Sequence, residues 1–199
     1  MWLINHNAIL TKDNLLKRNW SGDLSCAFCN ETETIPHIFF ECPLAKYIWS
    51  LVAHVLGATC RPTSFEQFWT WIYLVLKKGK KIYMVGLSAI CWAIWLTRNN
   101  FSFEGKIIIS PTEIICLASS FISYCAGFQK GNDKEALEIG AETLKQTALY
   151  FHQQRQDSNC MMLPCWVRQS GGIGGRCWFC NLISALDSFL SGLSQVLLL

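Results

Sequence analysis

Four residues near the start of the chain have types and spacing that suit one chemistry. Cys26, Cys29, His37 and Cys42 form the pattern C-x2-C-x7-H-x4-C. Zinc takes four nitrogen or sulfur ligands at tetrahedral corners, with Zn–S near about 2.3 Å. Two residues between thiolates let one tight turn aim both sulfurs at one ion, and the His-x4-Cys half brings the other pair from the start of a following helix. Four protein ligands close the coordination sphere and leave no position for a reactive water, so such a site is structural, not hydrolytic. By ligand counting, three thiolates and a neutral imidazole leave the centre at about −1. The plainer alternative is that three small buried cysteines and one histidine fell at this spacing. Their concentration within 17 residues of a loop bearing Gly, Asp, Asn and Pro weighs against it.

Elements that could position these ligands follow from caps and periodicity. Thr11 can cap a short helix with Leu15 and Leu16 on its apolar side, and residues 21–42 read as loop. Pro43 suits the first position of a helix through PLAKYIWSLVAHVLG, with Leu44, Ile48, Leu51, Val52 and Val55 as its stripe and Gly57 just past its end. Ser64 and Gln67 form a capping-box pattern before FEQFWTWIYLVLKK. Lysines 77, 78, 80 and 81 around Gly79 mark an exposed turn. A long helix follows through Trp92–Trp95, and Gly105 with Ile107–Ile109 breaks it. Ser110-Pro111-Thr112-Glu113 is the strongest cap and opens a helix to about Gln129; a charged amphipathic helix starts near Asn132.

Composition bounds the rest. Of 199 residues 51% are hydrophobic and 16% charged, with mean hydropathy +0.24, which excludes a disordered chain. Net charge is +3, too weak by itself to prove a nucleic-acid partner. The excess is uneven: residues 1–106 carry 11 Lys and Arg against 7 Asp and Glu. Eleven cysteines, an odd number without a visible secretory leader, point to a reducing compartment, intracellular and with the nucleus as one address. The longest uncharged apolar run, 16 residues between Lys81 and Arg98, is short of the about 20 that a span needs and reads as a buried helix.

The stretch ILTKDNLLKRNW…CAFC…ETETIPHIFFECPLAKYIWSLV resembles the zinc-binding domain that follows the reverse transcriptase in plant LINE-type (non-LTR) retrotransposons. The matching residues are Thr11, Asp13, Leu15, Arg18, Cys26, Cys29, Glu33, Thr34, His37, Phe39, Phe40, Cys42, Pro43 and Trp49. Ile38 stands where Leu is usual. A second stretch, CWAIWLTRNNFSFEG, is similar to a "W-x-I-W-x-x-R-N-x-x-x-F" segment downstream in the same elements. The resemblance covers about residues 1–155. It implies zinc on Cys26, Cys29, His37 and Cys42 and nucleic-acid contact beside a polymerase. No polymerase motif of the F/Y-x-D-D kind occurs in the chain. The expected fold is mainly α, a CCHC zinc loop followed by several helices and an irregular C-terminal tail. Its parts are an N-terminally truncated zinc-binding domain at 1–57, a helical region at 58–156 and a low-charge tail at 157–199.

For a nucleic-acid surface the candidates are Lys12, Lys17, Arg18 and Lys46 for phosphates, with Trp20 and Phe28 for single-stranded bases. Both aromatics could instead cover the metal core, which is the favoured reading of that pair. The lysines at 77–81 read as a solvated turn. Cys177 and Cys180, with Cys160 and Cys165, could form a second site or a redox pair, but no histidine or strand–helix unit supports either. GGIGG lacks the ending of a phosphate loop. His6, His54 and His152 carry no partner pattern.

The expected function is thus a zinc-binding fragment of retrotransposon origin that contacts single-stranded RNA or DNA and lacks polymerase or nuclease activity of its own. The alternatives are an inert or protein-interaction remnant with a purely structural zinc and, more weakly, a small membrane-associated protein. Residues 157–199 hold only four charges, Asp157, Arg168, Arg176 and Asp187. Truncation at 156 should therefore leave a folded, soluble core, and limited proteolysis should cut between about Gln156 and Gly175; a truncated chain that aggregates would count against this.

Overall fold

The structure, a computed structural model, describes residues 2–75, 79–106 and 110–157. Lys77, Lys78, the Ile107–Ile109 triplet and Cys160, Cys165, Cys177 and Cys180 lie outside the described residues. The described chain is mostly helical. Its helices are α1 (Trp2–Asn5), α2 (Lys12–Leu16), α3 (Pro43–Val55), α4 (Phe65–Thr70), α5 (Lys80–Glu104), α6 (Pro111–Ala126) and α7 (Asn132–Asp157), with two π-helical turns, His37–Glu41 and Trp71–Val75. Among the described residues the only β pairing is the antiparallel bridge Ser25–Thr32.

Helix α3 forms where its caps and stripe place it. Pro43 occupies its first position and Gly57, at φ +63°, takes the left-handed conformation past its end. Its burial is wider than one stripe: Ala45, Tyr47, Trp49, Ser50 and Ala53 are buried as well. Helix α6 lies along both α5 and α7, and α3 packs on α6 and α7. Leu137, Ala141, Leu144 and Ala148 make the buried face of α7, a 4-3-4 spacing that keeps one helix face inward. Small residues on this face let the backbones approach, and Ser119 Oγ donates to the Ala141 carbonyl at 2.7 Å. Buried side chains from Ile4 to Ala148 form one cluster.

Three local expectations change. Thr11 stands at the cap position of α2, but its hydroxyl hydrogen-bonds the Asp13 carboxylate and caps no backbone N–H, while Leu16 is exposed. The end of the 21–42 segment is a helical turn and not loop. Helix α6 stops at Ala126, three residues short of Gln129. The Ser64 and Ser110 caps form, accepting from the N–H of Gln67 and Thr112, each at 3.2 Å.

One buried contact joins the zinc-loop segment to the bundle. Glu33, fully buried, receives Arg98 Nη2 at 2.5 Å and Nε at 3.1 Å, and Lys12 N–H at 2.9 Å. Arg98, 1% exposed, lies between the Trp95 and Phe103 rings, its guanidinium carbon 5.2 and 5.6 Å from their centroids. A bidentate fork on a carboxylate is the strong form of this interaction, and removing one partner leaves an uncompensated buried charge. Glu33→Ala or Arg98→Ala should each destabilise by about 3–5 kcal/mol, with the double variant losing less than the sum of the two, as read by denaturant unfolding.

Candidate metal centre

Two devices assemble the ligands. The first is a turn. Cys26 N–H donates to the Glu31 carbonyl at 2.6 Å, Asn30 N–H to the Cys26 carbonyl at 3.3 Å, and Glu33 N–H to the Leu24 carbonyl at 2.8 Å. Asn30 sits at φ +64°, a left-handed conformation that Asn tolerates better than most residues. The turn faces Cys26 and Cys29 the same way, and the Phe28 N–H donates to Cys26 Sγ at 3.4 Å.

The second device is the π-helical turn. Five steps along an α-helix at about 100° each leave two side chains about 140° apart, so His37 and Cys42 on such a helix could not share an ion. Here the Cys42 N–H bonds to the His37 carbonyl at 2.7 Å, the wider i→i+5 closure. Thr34 Oγ1 accepts the His37 N–H at 3.2 Å, and the Trp49 indole N–H donates to the Phe39 carbonyl at 2.5 Å. Phe40 stacks on Trp49 at 5.9 Å and meets Phe65 edge-on at 4.6 Å. The turn is thus clamped from above by the hairpin and from below by aromatic rings.

The four ligand atoms lie within 4.8 Å of one another. Cys29 Sγ is 3.1 Å from His37 Nε2 and 3.8 Å from Cys42 Sγ. The edge of a tetrahedron with 2.3 Å Zn–S arms is about 3.8 Å, so the sulfur pair already stands at coordination distance, and the widest pair needs to close by about 1 Å. The donor set, three sulfurs and one imidazole, is that of a closed structural zinc site.

Electrostatics point the same way. Hydrogen bonds from Cys26 and Cys42 hold Cys29 far below the usual thiol range. Cys42, bonded to Cys26 and Cys29 and deeply buried, is pushed well above it. Burial pulls His37 down, but hydrogen bonds and charge from Cys26 and Cys29 outweigh it and raise it to about 10. Protons thus neutralise a concentrated anionic nest that a divalent cation neutralises better. Outside the cluster, burial pushes the Cys91 thiol to about 12 and leaves it a small core residue.

The six residues expected to meet nucleic acid divide. Phe28 is 5% exposed and packs toward Phe101 at 6.4 Å, so it offers no face to a base: a correction in favour of the core-covering alternative. Trp20 is 37% exposed. Lys12 Nζ donates to the Ser25 carbonyl at 2.6 Å and helps hold the hairpin. Lys17 and Arg18 are exposed, Lys17 lying 3.6 Å from Asp13, and Lys46 is half-buried one turn after Cys42. The pair Glu33–Arg98 was missed as a structural unit; its signal was that Arg98 is the first charge after a 16-residue apolar run.

Comparison with known proteins agrees with this geometry. Residues 1–49 match the family described as zinc-binding in reverse transcriptase, and the match spans all four ligands. No curated protein and no solved structure matches the chain. Zinc is therefore the cofactor that family and cluster both specify, and no described helix is long and apolar enough to cross a membrane.

Purified chain should hold about one zinc, and Cys26→Ser or His37→Ala should release it and loosen the hairpin, since structural zinc contributes folding free energy of order 10 kcal/mol in small modules. Stoichiometric zinc in both variants would overturn the ligand set. Zinc needs a neutral imidazole and a Cys42 thiolate, whereas the metal-free site keeps both groups protonated at neutral pH. Binding must release at least these two protons, so affinity should rise with pH by at least about two orders of magnitude per unit between about pH 6 and 8. Competition against a chromophoric chelator measures this, and a pH-independent affinity would contradict it.

Proposed function

We propose that the chain is a zinc-dependent module of retrotransposon origin, of the plant LINE type, that contacts single-stranded nucleic acid and has no polymerase or nuclease activity of its own. The observation that carries the reading is the exposed Trp20 beside Lys17 and Arg18, on the segment that leads directly into the metal hairpin. A partly exposed indole two and three residues along the chain from cations suits base stacking with phosphate contact. Lys46, from the first turn of α3, adds a cation on the other side of the ligands in sequence. The site is closed by four protein ligands, so zinc holds the surface and takes no part in bond cleavage. A nuclear address is consistent with such a partner.

A second reading, protein contact, draws on a different feature. An apolar groove of about 880 Å³ between α5 and α6 is lined by Met84, Val85, Trp92, Phe121 and Tyr124, with Trp92 and Tyr124 exposed. A remnant that kept only this surface would hold its zinc and bind no oligonucleotide.

The two separate in one titration. Each phosphate contact contributes a slope of about −0.7 in log affinity against log salt on single strands, so Lys17, Arg18 and Lys46 together should give roughly −2. Replacing Lys17 and Arg18 by Ala should leave a slope of roughly −0.7. Zinc-loaded chain that binds no labelled single strand at low salt would sink the nucleic-acid reading in favour of protein contact.

A further inference from the structure

Beside the metal hairpin lies a groove of about 320 Å³ that takes in Trp20. Trp20, from the segment after α2, and Phe103, from the last turn of α5, stand on it. Phe101, the buried Arg98, Lys12, Asp23 and Ser102 also line it. Two features set its aromatic edges apart. Phe103 is 73% exposed although it covers the Arg98 guanidinium on one side. Trp20 is folded tightly over Gly22, where a Cβ would fall 2.2 Å from the indole, so the absent side chain lets the ring lie against the backbone.

We infer that this groove receives a single unpaired base of a single-stranded nucleic acid between Trp20 and Phe103. The inference rests on the nucleic-acid reading above and adds Phe103, which lies outside the sequence-derived set. Size limits the occupant: about 320 Å³ is at the small end of ligand sites, too little for a helix of a partner protein. Charge limits it further. The one guanidinium inside is neutralised by Glu33. Asp23, exposed and hydrogen-bonded to the Ser25 hydroxyl and N–H, is offset at the rim by Lys12, whose Nζ donates to the Ser25 carbonyl, so the groove carries no net charge. A phosphate gains no net attraction there and is drawn instead to Lys17 and Arg18 outside. A flat neutral ring whose N–H groups can donate to Asp23 and whose acceptors can take the Ser102 hydroxyl suits both the aromatic and the polar edges.

The test uses zinc-loaded full chain, fluorescent oligothymidylate and an abasic deoxyribose-phosphate strand of the same length. Phe103→Ala should weaken oligothymidylate binding about tenfold or more without altering the salt slope. Phe103→Trp should restore it, and Tyr150→Ala, an exposed aromatic on α7, should leave it unchanged. The abasic strand should bind the unmutated chain at least as weakly as the oligothymidylate binds Phe103→Ala, since it loses the Trp20 contact as well. Zinc content and melting temperature on each variant separate a folding defect from a lost contact, and the abasic strand tests the same point with no substitution. If the chain binds and Lys17→Ala/Arg18→Ala flattens its salt slope, but Phe103→Ala or removal of the bases changes nothing, the groove assignment fails while the nucleic-acid reading stands. No binding by the unmutated chain at low salt overturns both.

Discussion

A buried carboxylate with three N–H donors organises this protein. Glu33 lies on the strand-like arm that leaves the metal hairpin, and no solvent reaches it. Its charge is met by Arg98, 65 residues away on α5, and by the backbone at the start of α2. Burying two charges stabilises little unless their geometry is good, and separating them is costly. The pair therefore acts less as a source of stability than as a constraint on register: hairpin, α2 and α5 have one mutual arrangement that leaves no charge stranded. The metal ligands inherit that arrangement, because Cys29 and His37 flank Glu33 in sequence.

Zinc and ion pair divide the task of holding a small segment to a large one. The metal closes the hairpin on the start of α3, while Glu33 and Arg98 fasten the same hairpin to α5. The Phe40, Trp49, Phe65 and Phe68 rings fill the space under the π-helical turn, with edge-on contacts that suit aromatic quadrupoles. An N-terminal segment that would bury too little surface to fold alone thus becomes continuous with the bundle core.

What could be read from the sequence was what depends on near neighbours. The C-x2-C turn, Pro43 at the head of α3, Gly57 at its end and the Ser64 and Ser110 caps are decided within a few residues, and all are present. Features set by distant partners were not readable. Glu33 and Arg98 looked like ordinary motif positions until folding brought them together. The HIFFE segment carried no period that separates a π-helical turn from an apolar loop; its wide closure shows only where Cys29 meets both His37 and Cys42. Phe28 stayed open between stacking and covering the metal core, the favoured reading, because sequence does not say which side of a hairpin faces Phe101. Phe103 was legible only as the last position of the downstream motif, because the groove it lines is completed by the distant Trp20 segment.

Cys42 ends the π-helical turn, supplies the last ligand and precedes the first residue of α3. Segment length is therefore constrained here more tightly than composition. Losing one residue between His37 and Cys42 would turn the cysteine by about 100° relative to the histidine. If Cys42 were held on the metal instead, α3 would carry the rotation and swing Trp49 away from the Phe39 carbonyl. Ile38 can exchange with other apolar residues at small cost, whereas an insertion or deletion among residues 38–41 has no compensating adjustment that satisfies both the ion and the bundle.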